Sequence, residues 1–191
     1  MTSRAVVLVE GRSDEIAVRT LARRRGRDLA AEGVSVLAVG GAQAMGRFLA
    51  TYGPAGARAI VAGLCDQGEE PDVRRALERA GLAPATGRDG LEALGFFVCE
   101  RDLEDELVRG LGVAGTEAIL AAHGKLGAFR AYQKQPAHRA RPAADQLRGF
   151  LTNWKVELAG PLVEALDPAR VPRPLDGVLG ASGWRPPIRA R

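Results

Sequence analysis

The chain has 191 residues, 46% of them hydrophobic, which suits one domain or one domain with a helical appendage rather than several domains. Aromatic residues make up only 5%, so aromatic base-stacking platforms are scarce and the core is built from Ala, Leu and Val; the formal charge of +4 permits a polyanionic partner without demanding one. Cys65 and Cys99 lack Cys-x-x-Cys spacing, and with only two histidines they argue against a structural zinc centre and for buried free thiols. No signal-peptide pattern opens the chain and no apolar run approaches the length of a membrane span, so a soluble cytoplasmic protein is expected.

Val6-Val7-Leu8-Val9 is a short, mostly β-branched run that reads as a strand buried on both faces of a parallel sheet. It runs straight into Glu10-Gly11-Arg12-Ser13-Asp14, where Gly11 turns the chain and Ser13 is the expected N-cap of a helix over residues 13–31. An acid that ends a buried strand is desolvated unless a cation meets it, which makes Glu10 a candidate metal ligand. Asp14 fits a ligand and a first-turn acid complementing the helix dipole equally well. The opposite face of that helix carries Arg19, Arg23, Arg24, Arg25 and Arg27, suited either to the dipole or to contact with phosphates.

A second strand is expected over Val34–Val39, then Gly40-Gly41 and a short helix Ala42–Thr51 with Met45, Phe48 and Leu49 inward. The third strand, Ala59–Cys65, again ends in an acid, Asp66; Glu69 and Glu70 follow, and Pro71 suits a helix start. A Gly/Pro-rich loop over residues 81–90 precedes a fourth strand, Leu94–Cys99, which runs into Glu100-Arg101-Asp102-Leu103-Glu104-Asp105-Glu106. Asp102 is the expected N-cap of the next helix, and spacing alone puts Glu104 and Glu106 on a solvated helix face. Alternating strands and helices with no hairpin signal imply a Rossmann-like α/β domain with a four-stranded parallel sheet.

Strands one, three and four then deliver Glu10, Asp66 and the Glu100/Asp102 pair to one edge, the edge where open α/β sheets bind ligands. Carboxylates crowded there must be protonated or neutralised, and hard oxygen donors suit Mg²⁺ or Mn²⁺. No Gly-x-Gly-x-x-Gly follows a strand and no P-loop motif is present, which argues against dinucleotide and P-loop ATP binding. Beyond Gly112 the strands cease: helices are expected over Gly115–His123, Gly124–Lys134 and Ala143–Leu166, the last carrying Lys155 beside Trp154. His123 and His138 read as surface or loop residues, and residues 176–191 as a basic tail.

Val9-Glu10-Gly11-Arg12-Ser13-Asp14, Leu64-Cys65-Asp66 and Cys99-Glu100-Arg101-Asp102-Leu103-Glu104 together resemble the Toprim domain, in the form found in OLD (overcoming lysogenisation defect) family nucleases. The resemblance implies a Toprim-like catalytic domain over residues 1–112, with a helical extension over 113–175 packed on it. It implies a Mg²⁺- or Mn²⁺-dependent endonuclease acting on DNA, with RNA as the alternative polymer. Glu10, Asp14 and Asp66 would be metal ligands, Glu100, Asp102 and Glu104 would complete a second site, Lys155 would assist catalysis, and the arginines at 19, 23, 24 and 25 would track the nucleic-acid backbone. Two departures stand out. Asp66-Gln67-Gly68 occupies the place of the usual Asp-x-Asp, leaving the missing carboxylate to Glu69, Glu70 or Asp102. The ABC-type ATPase that usually precedes this domain in OLD proteins is not in the sequence, and the expectation is a domain that works alone or with an ATPase supplied by another polypeptide. A non-catalytic Toprim-like binding module and a nucleotidyl or phosphoryl transferase acting on RNA or a nucleotide are the alternatives.

Overall fold

The structure, a computed structural model, describes residues 4–82 and 87–180. Its centre is β1 (Ala5–Val9), flanked by β2 (Val34–Ala38) and β3 (Ile60–Asp66), with β4 (Phe96–Cys99) beyond β3; the order β2-β1-β3-β4 is parallel throughout. Parallel neighbours need crossovers, supplied by α1 (Arg12–Arg24), α2 (Ala42–Tyr52), and the pair α3 (Glu70–Arg79) and α4 (Gly87–Ala93). The expected four-stranded parallel α/β fold is therefore the observed one.

All of β1 is buried because both faces of the sheet are covered. With side chains alternating, Ala5, Val7 and Val9 join the core under α1, while Val6 and Leu8 join the core with Met45 and Leu49 of α2 and Val73 of α3. Cys65 and Cys99 fall on opposite sides of the sheet, each a buried free thiol. Gly63 is required by close approach: a Cβ there would lie 2.6 Å from two carbons of the buried Phe96 ring.

The helices α5 (Leu103–Ala122), α6 (Leu126–Lys134), α7 (Ala143–Leu151), α8 (Lys155–Ala165) and α9 (Arg173–Leu179) follow the sheet. The Asp102 carboxylate caps α5 by accepting the Asp105 N–H at 2.8 Å, as its position predicts. Leu158, Leu162 and Val163 of α8 and Leu175 and Val178 of α9 enter the same core as Val7 and Val9. Among the described residues no helix is long and apolar enough to cross a membrane.

Several boundaries differ from the sequence reading. Gly11, not Ser13, is the N-cap of α1; Asp14 Oδ2 folds back to accept the Gly11 N–H at 2.8 Å, and the buried Ser13 hydroxyl has no partner. The same helix ends at Arg24, because Gly26 adopts φ 68° and the chain turns. The single helix expected over 143–166 is two, broken at Thr152-Asn153-Trp154, residues whose side chains compete for backbone hydrogen bonds or lose rotamer freedom in a helix. That break makes Lys155 the first residue of a new helix. Residues 87–90, read as loop, open α4, and residues 83–86 of that loop lie outside the described residues. The boundary at 175/176 falls inside α9, whose Val178 and Leu179 are buried; residues 181–191 lie outside the described residues.

Candidate functional site

The register of β1 against β3 pairs Leu8 with Gly63, so Glu10 emerges beside Asp66 at the carboxyl edge. Glu10 Oε1 accepts the Asp66 N–H at 2.8 Å, tying the two strand ends together. Beyond Asp66 the chain enters a 3₁₀ turn, Gln67–Glu69, which brings Glu69 back to the Glu10 carboxyl group; Glu69 Oε2 is buried without a hydrogen-bond partner. Asp14 arrives from the first turn of α1 and Glu104 from the first turn of α5. Lys155, at the start of α8, acts electrostatically on both Asp14 and Glu104.

The electrostatics record this crowding. Burial, then the hydrogen bond to Glu69, push the Glu10 carboxyl up to about 9, against the smaller opposing effect of the Asp66 N–H. Burial and the surrounding charges of Asp14, Asp102, Glu104 and Glu69 raise Asp66 to about 7. Asp14 and Glu104 are also raised, chiefly by burial, and Lys155 partly offsets the rise in both. Four carboxyl groups held above their ordinary range at one edge mark a site that disfavours its own negative charge.

The sequence candidates separate here. Glu10, Asp14, Asp66, Glu104 and Lys155 share the edge, and Glu69 joins them. Glu100 does not: its side chain is 60% exposed and paired with Arg109. Asp102 is near enough to raise Asp66, but its carboxylate caps α5 and is held by Arg148 from α7. The arginines along and just after α1 have partners within the fold. Arg24 donates to the carbonyls of Val163 and Leu166, both at 2.8 Å, closing the end of α8, and Arg25 pairs with Asp176 of α9. Arg19 binds Glu15 and the Val36 carbonyl, and Arg23 contacts Thr20 and approaches Glu164 at 3.9 Å. The local sequence signal for Glu69 and Glu104 is weak, an acid within a few residues of a strand end that already carries one.

Among the described residues no three Asp, Glu, His or Cys side chains close on a common point as ready-made ligands. The chemistry of the set nonetheless fits Mg²⁺ or Mn²⁺. It consists of hard carboxylate oxygens, one buried and unpartnered, in an environment that a cation would relieve.

A pH dependence follows. Glu10 and Asp66 give up protons later in the folded than in the unfolded chain, so rising pH favours unfolding from about pH 5 until it passes their folded values. In EDTA the melting temperature is expected to fall between about pH 5 and about pH 9, and Mg²⁺ or Mn²⁺ to flatten that slope. Thermal melts across this range check it; a melting temperature that rises throughout in EDTA would contradict the crowding.

Residues 1–62 match the family model described as the Overcoming lysogenization defect protein-like, TOPRIM domain; the match stops within β3, before Asp66. Comparison with curated protein sequences gives no match. Among solved structures, the C-terminal region of the Xanthomonas campestris pv. campestris OLD protein (platinum-phased) aligns at 22% identity and TM-score 0.72, covering 93% of this chain and 90% of that one. The C-terminal region of the Burkholderia pseudomallei OLD protein aligns at 20% identity and TM-score 0.70, covering 94% and 96%. The iodine-phased structure of the Xanthomonas region aligns at 25% identity and TM-score 0.68, covering 93% and 92%. Residues 1–62 are therefore similar in sequence to the OLD-like Toprim domain, and nearly the whole chain is similar in fold to the C-terminal regions of OLD proteins.

Proposed function

We propose that this chain is a divalent-metal-dependent endonuclease that nicks or cleaves DNA phosphodiester bonds. The observation that supports it most is the meeting of Glu10, Asp14, Asp66 and Glu104 with Lys155 at the carboxyl edge of the sheet, in a domain resembling the OLD Toprim. Glu10, Asp14, Asp66 and Glu104 would hold Mg²⁺ or Mn²⁺, with Glu69 supplying the carboxylate missing from Asp66-Gln67-Gly68. When bound, the metal would stabilise charge on the attacking and leaving oxygens of the scissile phosphate. Asp102 serves instead to cap α5 and fix the first turn that carries Glu104. Lys155 places its ammonium at the start of α8, where the helix dipole also favours an anion, and neutralises charge gathering on the phosphate.

Supercoiled plasmid incubated with the protein in Mg²⁺ or Mn²⁺ should yield nicked circles, and none in EDTA. Lys155→Ala should slow nicking by about 10²–10³-fold, as loss of a group stabilising transition-state charge does. Absence of nicking under either metal, with salt-sensitive DNA binding retained, favours the second reading, a non-catalytic binding module. The Asp66-Gln67-Gly68 departure supports that reading. DNA and RNA substrates run side by side separate both from action on RNA.

A further inference from the structure

From Ala118 to Ala144 the chain contains no acid, and its bases are Lys125, Arg130, Lys134, Arg139 and Arg141. Two of these have acidic partners: Lys125 pairs with Glu157 at 3.1 Å and lies over the Trp154 ring, and Arg130 pairs with Glu117 at 2.6 Å. Lys134, Arg139 and Arg141 are exposed, and none lies within ion-pair distance of an acid among the described residues. Lys134 ends α6, and Arg139 and Arg141 stand on the connection to α7, between Pro136 and Pro142.

That connection is built to keep its shape. His138 lies on this loop, as expected from sequence, and its ring stacks on Tyr132 at 3.8 Å. The His138 carbonyl accepts from Gln146 at 2.9 Å, and Gln146 in turn accepts from Gln133 at 2.6 Å. Backbone turns close Arg139 N–H onto the Gln135 carbonyl and Arg141 N–H onto that of His138. A segment fixed at both ends presents its charges without a large ordering cost.

Two chains of contacts lead from this segment, one toward the turn between β4 and α5 and one toward the start of α8. Arg141 acts electrostatically on Asp145, which pairs with Arg101 at 2.6 Å, the neighbour of Asp102 at the end of β4. On the other side, ring-to-ring steps of 3.8, 5.6 and 6.4 Å lead from His138 through Tyr132 and Phe150 to Trp154, the residue before Lys155. Of the arginines along and after α1, by contrast, Arg24 and Arg25 are bound to the C-terminal helices and Arg19 to Glu15 and the Val36 carbonyl.

We propose that the exposed basic segment Lys134–Arg141 is a surface on which this chain holds the phosphate backbone of duplex DNA. This rests on the nuclease reading and adds where the substrate lies. The partner is identified by its chemistry: a regular polyanion, bound by unpaired cations on a stiff exposed loop with no aromatic side chain offered for base stacking.

The test is fluorescence anisotropy of a labelled DNA duplex in EDTA, titrated with salt, using the full chain. Replacing Lys134, Arg139 and Arg141 by Gln together should weaken binding at least about 10-fold near 0.1 M salt and reduce the log–log salt slope by roughly 2–3, since each neutralised phosphate contributes about 0.9. The Arg139→Gln/Arg141→Gln pair, which leaves α6 untouched, should reduce it by roughly 2. Arg58→Gln, exposed just before β3 at the opposite edge of the sheet, should leave it unchanged. Thermal melts equal to the parent's establish that the variants are folded. An unaltered slope in both multiple variants, or a parent without salt-dependent duplex binding, overturns the proposal. Plasmid nicking on the same samples separates the two readings. A parent that binds through this segment and never nicks removes the nuclease, while one that nicks with the slope unchanged in the variants removes the surface.

Discussion

Glu10→Gln is expected to abolish metal-dependent nicking, by at least about 100-fold, and at the same time to raise the melting temperature of the metal-free protein near neutral pH. Both effects have one cause. The Glu10 carboxyl is buried and faces Glu69 and Asp66, which pushes it up to about 9; ionising it in the folded chain is therefore unfavourable unless a cation is present. Glutamine keeps an oxygen to accept the Asp66 N–H, the 2.8 Å bond that joins β1 to β3, but carries no charge to a metal. Plasmid nicking and melts in EDTA measure the two halves separately. A variant that nicks at the parent rate would remove Glu10 from the reaction, and one that melts lower in EDTA would show that its charge is not a burden to the fold.

Phe129→Ala is expected to lower stability by about 3–5 kcal/mol, read as a shift in the urea midpoint. Phe129 has no exposure and lies 5.3 Å, ring to ring, from Phe150. It is the fully buried anchor of α6, and Phe150 belongs to α7, the helix that carries Arg148 to Asp102 and Asp145 to Arg101. A cavity there loosens the support of the α5 cap as well as the core, so nicking should weaken together with stability. A cost below about 1 kcal/mol would mean that the site collapses to fill the space, and that α6 is not held through this ring.

Much of this architecture was legible because its causes are local. Val6–Val9 is apolar without a break because the strand is covered on both faces, and a covered strand needs no polar alternation. Asp102 caps α5 through a bond to a residue three positions away, well within the reach of a pattern read along the chain. The motif Glu10-Gly11-Arg12-Ser13-Asp14 carried the family resemblance for the same reason, since strand end, turn and helix start are contiguous. The choice of Ser13 as N-cap failed narrowly: Gly11 takes the cap and Asp14 closes it from within the helix.

The sequence by itself thus determined the sheet, its direction and the edge at which Glu10 and Asp66 appear. Only the tertiary structure decided which other charges reach that edge. Glu100 and Glu104 are four residues apart on the same connection, yet one is drawn outward by Arg109 and the other faces Asp14 and Lys155. Arg24 reads as a cation for phosphates until its partners, carbonyl groups 139 and 142 residues away, are in place. A strand or a cap is specified by neighbours within a few residues, whereas a charged side chain settles on whichever partner the packing of distant helices brings within reach, and that partner has no local signature.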